Sequence, residues 1–165
     1  MRYERRIQIL RWALWTLLLI GSLVLQATVF PLWAPVIPLL VPVTVACIAT
    51  MGSAESGAVF GLVGGLLGYL GGDAMSFTIP VLTFVGAMTG TLCSRWFTRT
   101  LLPALLCSFA ALLLCELPAW ALRVYRDIVP LRSFLTVLLP ELGCSLICAL
   151  PLYLLSWRIS LLGQR

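Results

Sequence analysis

Between Arg11 and Glu55 lie 43 residues without a single charged side chain. No water-soluble domain buries so long an apolar run without polar interruptions. A bilayer accommodates it, because its hydrocarbon core is about 30 Å thick and takes about 20 apolar residues per helix. The habit returns downstream, in the charge-free stretches 101–115 and 142–157. Composition agrees: 61% of residues are apolar and 10% charged, with a mean hydropathy of +1.07. Soluble domains sit near 45–50% apolar and about 25% charged. The expected fold class is therefore all-α, a polytopic membrane bundle forming one domain over residues 1–165.

Six apolar segments predict six crossings, at roughly 12–30, 36–51, 56–72, 77–97, 101–122 and 134–157. Trp12 and Trp15 follow the basic start and read as an interfacial belt. The second segment follows Pro31, Pro35 and Pro38 and contains Pro42. At 1.5 Å per residue it is short for a full crossing. Orientation follows from arginine, since the chain has neither Lys nor His. Six crossings from a cytoplasmic N-terminus put eight Arg inside and three outside, in keeping with the positive-inside rule. Five crossings give a seven-to-four split and move the C-terminus to the other side. The expected location is a membrane, crossed several times, with both termini cytoplasmic. The excess of Arg reads as topological anchoring beside anionic headgroups, and no nucleic-acid partner is expected.

Catalytic chemistry finds little to work with. Without His there is neither a zinc HExxH site nor a Ser–His dyad, and without Lys no phosphate loop. Asp73 and Asp127 do not make the facing pair of an intramembrane aspartyl protease. The six Cys (47, 93, 107, 115, 144 and 148) form no CxxC pair and read as small buried thiols. No catalytic, cofactor-binding or metal-ligating residue is predicted, and the chain reads as non-enzymatic.

What remains is packing and a few acids. Gly57, Gly61 and Gly65 step by four, as do Gly64, Gly68 and Gly72, and Gly86 and Gly90 repeat the spacing. Such spacing lets helix backbones approach closely, within the bundle or against another protein. Glu55 and Asp73 fall near segment ends, where water is in reach. Glu116 and Glu141 lie within the apolar segments but closer to their ends than to their midplanes, the first two residues before Pro118 and the second just after Pro140. A charge at such a place calls for a reason. Three stay open: a structural role (a bond to freed backbone groups or to an Arg such as Arg123 or Arg132) or interfacial exposure, a partner contact, or a transported ion or proton.

The order of these features resembles the rod shape-determining protein MreD family. Leu25-Gln26-Ala27-Thr28-Val29-Phe30-Pro31 resembles the end of that family's first span. Gly57-Ala58-Val59-Phe60-Gly61 followed by Gly65-Leu66-Leu67 resembles its glycine helix. Cys115-Glu116-Leu117 stands where the family carries an acid late in the fifth span. Leu139-Pro140-Glu141 through Pro151-Leu152-Tyr153 resembles its closing helix. Two positions depart: Tyr69 stands where the family places an Asp after Gly-Leu-Leu, with Asp73 the nearest acid, and Cys144 or Ser145 lies in the region where the family's last helix often carries an Asn.

The resemblance implies a non-enzymatic scaffold of the wall-elongation complex that maintains rod shape. Its partner would be an MreC-like bitopic protein. Through that protein it would reach the MreB filament, RodA and a penicillin-binding transpeptidase. The candidate packing or partner-contact residues are Gly57, Gly61, Gly64, Gly65, Gly68 and Gly72, with Glu116 and Glu141 as polar fixings and Asp73 and Gln26 as weaker candidates. The competing reading is a substrate-binding S component of an energy-coupling-factor vitamin transporter, a six-helix family with a related fold. Against it, the first span lacks a small-x-x-x-small Ala motif, and Trp120, Arg123, Tyr125 and Arg126 are the only hint of a ligand cluster.

Overall fold

A helix whose every residue is buried organises the chain. The computed structural model describes residues 2–29, 38–71, 75–95, 100–126, 128 and 134–161. Among these every regular element is helical. They form α1 (Arg2–Val24), α2 (Leu40–Met51), α3 (Ala54–Leu70), α4 (Thr78–Arg95), α5 (Leu101–Tyr125) and α6 (Leu139–Leu161). A π-helical turn, Leu25–Val29, extends α1, and another, Phe134–Leu138, leads into α6. All twelve residues of α2 are buried, and α2 packs against each of the other five helices. Its hydroxyls cause no orphaned polarity: Thr44 donates to the Leu40 carbonyl at 2.7 Å and Thr50 to that of Cys47 at 2.8 Å.

The helices alternate in direction. One end of the bundle gathers the C-terminal ends of α1, α3 and α5 and the N-terminal ends of α2 and α4, which line one cavity. The start of α6 joins them through Ser145, bonded to the Leu39 N–H. At the opposite end the last residue of α2, Met51, accepts a hydrogen bond from Ser160 near the end of α6. Twelve residues make α2 about 18 Å long. It nevertheless runs from one end of the bundle towards the other.

Between α2 and α3 the chain reverses in two residues. Gly52 closes α2 with its N–H on the Ile48 carbonyl. Ser53 opens α3 with a capping box, its Oγ accepting from the Ser56 N–H while its own N–H donates to Ser56 Oγ. Glu55 sits exposed in the first turn, where the helix dipole favours a negative charge. Then α3 runs antiparallel to α4 in the most extensive helix pair of the molecule. Gly57 abuts the Gly86 carbonyl, Gly61 the Leu82 carbonyl, and Gly90 the turn at Ser53 and Ala54. A methyl group on Gly65 would sit 2.7 Å from the Ile79 Cα. Two backbones meet here with no side chain between them.

Two expectations are corrected. Trp15 is no interfacial belt residue: it is fully buried, and its ring meets Phe60 edge-on at 6.0 Å. Trp12 packs beside it, 5.3 Å from the same Phe60 ring, and the Arg11 guanidinium lies 4.9 Å over Trp15. The reason is register: Arg11, Trp15, Leu19, Ser22 and Gln26 follow one another at helical spacing and turn one face of α1 inward. Cys144 is exposed, whereas Cys47, Cys93 and Cys115 are buried and Cys107 and Cys148 half-buried. Helix limits also differ from the predicted spans, since α1 begins at Arg2 and α6 runs to Leu161. Arg, Gln, Ile and Leu are good to moderate helix formers, so the helices continue past the apolar runs.

Among the described residues, three helices are long and apolar enough to cross a membrane by length and composition, over Arg6–Val29, Leu101–Tyr125 and Thr136–Leu161.

Candidate functional site: the polar end of the bundle

The first N–H groups of any helix lack partners within it, and at a buried end they must find acceptors elsewhere. Helix α2 begins inside the bundle, with Leu40 and Val41 both buried. Its needs are met from two sides. Gln26, carried inward by the π turn after α1, accepts at Oε1 from the Leu40 N–H at 2.9 Å and from the Val41 N–H at 3.4 Å. Ser145 of α6 accepts at Oγ from the Leu39 N–H at 2.9 Å while donating to the Glu141 carbonyl at 2.7 Å. Pro42 comes next and has no N–H to satisfy. Every donor at the start of α2 is thus answered or absent.

Beside this cap lies a cavity of about 50 Å³, walled by Leu23, Val41, Gly64, Gly68, Thr78 and Leu82. At roughly 10–15 Å³ per water it has room for about three to five waters. Glu116 and Arg123, two turns apart on α5, also line it. Glu116 is 8% exposed, whereas Arg123 is exposed. Glu116 feels the charge of Arg123, and the half-buried Glu141 feels both. Among the described residues the two make no direct ion pair, and no hydrogen bond reaches the Glu116 carboxyl group. An acid deep in the cavity and a base nearer its mouth therefore stand apart on one wall.

The structure distributes the sequence candidates as follows. Gly57, Gly61 and Gly65 are turned towards α4. Gly64 faces α2 and α1, where a methyl group would stand 3.0 Å from Val45 and 3.2 Å from Val41. Gly68 lines the cavity with Gln26 and Glu116. Gly72 and Asp73 lie outside the described residues. Gln26, a minor candidate from sequence, turns out to link α1 to α2. Its only signal was a polar amide in an otherwise apolar stretch. Nothing in the sequence pattern signals the capping role of Ser145. Among the described residues no group of three or more His, Cys, Asp or Glu is placed to hold a metal.

Ser145→Ala removes one acceptor from the start of α2. The expected cost is about 1 kcal/mol, typical of losing a helix cap. Thermal unfolding of the purified protein in detergent checks it, and an unchanged midpoint contradicts the capping role.

No protein-family model, curated protein sequence or solved structure matches the chain.

Proposed function

We propose that this chain is a multi-pass protein of a bacterial cytoplasmic membrane that serves as a docking platform in the wall-elongation complex. It crosses six times with both termini cytoplasmic, in an arrangement resembling the S-component-like fold. It catalyses nothing itself. It holds an MreC-like bitopic protein and, through it, connects to MreB, RodA and a penicillin-binding transpeptidase.

The observation that carries this reading is the wholly buried α2. It occupies the middle of the bundle, where a small-molecule site would otherwise sit. The cavity at its start, at about 50 Å³, is far below the ~300–1,000 Å³ of ordinary ligand pockets. Open space lies instead on the outer faces. One groove between α1 and α6 is walled by Leu14, Leu18, Gly21, Leu152 and Leu155, and another between α5 and α6 by Leu102, Leu106, Phe109 and Ile147. Apolar grooves of this kind suit a neighbour's transmembrane helix, which packs by close van der Waals contact. The alternating helix directions and the eight-to-three Arg split support six crossings. The ordered motif resemblance supplies the partner.

Co-expression with an MreC-like protein is expected to yield a complex that survives detergent extraction and gel filtration. Loss of the chain is expected to turn rods into spheres. A reporter fused after Arg165 is expected to read as cytoplasmic; an external signal contradicts six crossings. A purified chain that retains a vitamin and captures no bitopic partner overturns the scaffold reading in favour of the transporter subunit.

A further inference from the structure

We propose that the cavity at the start of α2 receives the ammonium end of an ethanolamine phospholipid headgroup, its primary ammonium on Glu116 and its phosphate at the mouth on the exposed Arg123. The inference rests on the membrane half of the reading above and not on the docking half.

A buried carboxylate needs donors or a counter-charge. Glu116 is 8% exposed and, among the described residues, has neither a hydrogen bond nor a direct ion pair. It opens on a cavity with room to spare. Gln26 Oε1 is already committed to the Leu40 and Val41 N–H groups. Glu116 is therefore the charged acceptor on this wall that is left for a guest. Glu141 adds negative charge close by.

Arg123 lines the same cavity and is exposed at the end of α5, with its guanidinium not joined to Glu116. A carboxylate and a guanidinium held apart on one wall match a zwitterion whose two charges lie a few bonds apart. A phosphoethanolamine group has this form. Its ammonium is compact, carries three N–H donors and suits a space sized for a few waters. Its phosphate suits the planar fork of Arg. A choline headgroup has no N–H to give and is bulkier. The source is the lipid rather than a free zwitterion, because the cavity lies at the end of a bundle whose outer helix faces are apolar. Leu17 on α1, Leu25 in the π turn after it, and Leu154 and Leu155 on α6 are all exposed. Acyl chains have surfaces to lie on.

The test uses the full chain in nanodiscs of phosphatidylglycerol mixed with either phosphatidylethanolamine or phosphatidylcholine. The ethanolamine discs are expected to raise the unfolding midpoint by about 4 °C or more over choline discs. Glu116→Gln and Arg123→Gln are each expected to abolish that difference. Native mass spectrometry of the wild-type chain, which needs no variant to fold, is expected to show preferential retention of the ethanolamine lipid. Equal midpoints in both discs, equal retention of the two lipids, or a difference that persists in both variants overturns the proposal. So does free phosphoethanolamine that stabilises the choline discs as well as the lipid does. If Glu116→Gln abolishes capture of the bitopic partner and leaves the lipid preference intact, the occupant is a basic side chain of that partner and the lipid assignment falls. Failure of the wild-type chain to capture any such partner bears on docking alone.

Discussion

Gly57→Leu is expected to leave no folded bundle to purify. A Cβ at Gly57 already collides with the Gly86 carbonyl, and at Gly86 with that of Gly57. Ordinary overpacking costs about 1–3 kcal/mol because side chains can rearrange. Here the obstacle is backbone, so relief requires α3 and α4 to separate along their whole contact. That separation also strips α2 of neighbours, since both helices pack on it. Gel filtration in detergent is expected to show aggregate for Gly57→Leu and a monodisperse but less stable protein for Gly57→Ala. Once Gly57→Ala has pushed the helices apart, adding Gly86→Ala is expected to cost less than it does alone. Gly21→Ala is the control: nothing lies within 4 Å of a Cβ there, and Ala is favoured over Gly in a helix by roughly 0.5–1 kcal/mol. A Gly57→Leu protein as stable as the Gly21→Ala protein contradicts the backbone contact.

The glycine case marks how far the sequence was legible. A four-residue glycine step has a direct geometric meaning, close approach on one helix face, and it was present both at Gly57, Gly61 and Gly65 and at Gly86 and Gly90. Spacing carries no address, however, so nothing in the pattern said that these two ridges meet each other. The second apolar segment was legible as short and proline-marked but not as central. Hydropathy saturates: an apolar helix reads the same whether lipid or other helices surround it, and only the contacts of α2 distinguish the two. The same limit misplaced Trp15, whose indole suits an interface or a core equally well. At the polar end, Glu116 was legible as a charge needing a reason. What it faces depends on how α1, α2 and α5 are assembled, and no local pattern encodes that. Gln26 was the least legible of all, because its role is to serve a helix that begins 14 positions later.

That service makes Gln26→Leu the second large effect. Leucine fills nearly the same space but accepts no hydrogen bond, so the N–H groups of Leu40 and Val41 lose their acceptor at a buried helix end. An unsatisfied buried donor costs about 1–3 kcal/mol. Two such donors, one of them weakly bonded at 3.4 Å, suggest roughly 2–4 kcal/mol in all. For a chain of this size that lowers the unfolding midpoint by about 5–15 °C. Gln26→Ala is expected to be milder, although it removes more atoms. Deleting the side chain joins its space to the neighbouring cavity of about 50 Å³, and water can then enter and accept from the stranded N–H groups. The ordering wild type, then Ala, then Leu reverses what loss of packing volume alone predicts. Packing would favour Leu over Ala by the usual cost of a buried void. Hydrogen exchange adds a local reading, since Leu40 and Val41 are expected to lose protection in Gln26→Leu before the rest of α2 does. If Leu proves the milder replacement, Gln26 serves as filler at this end of the bundle, and the start of α2 is held by Ser145 alone.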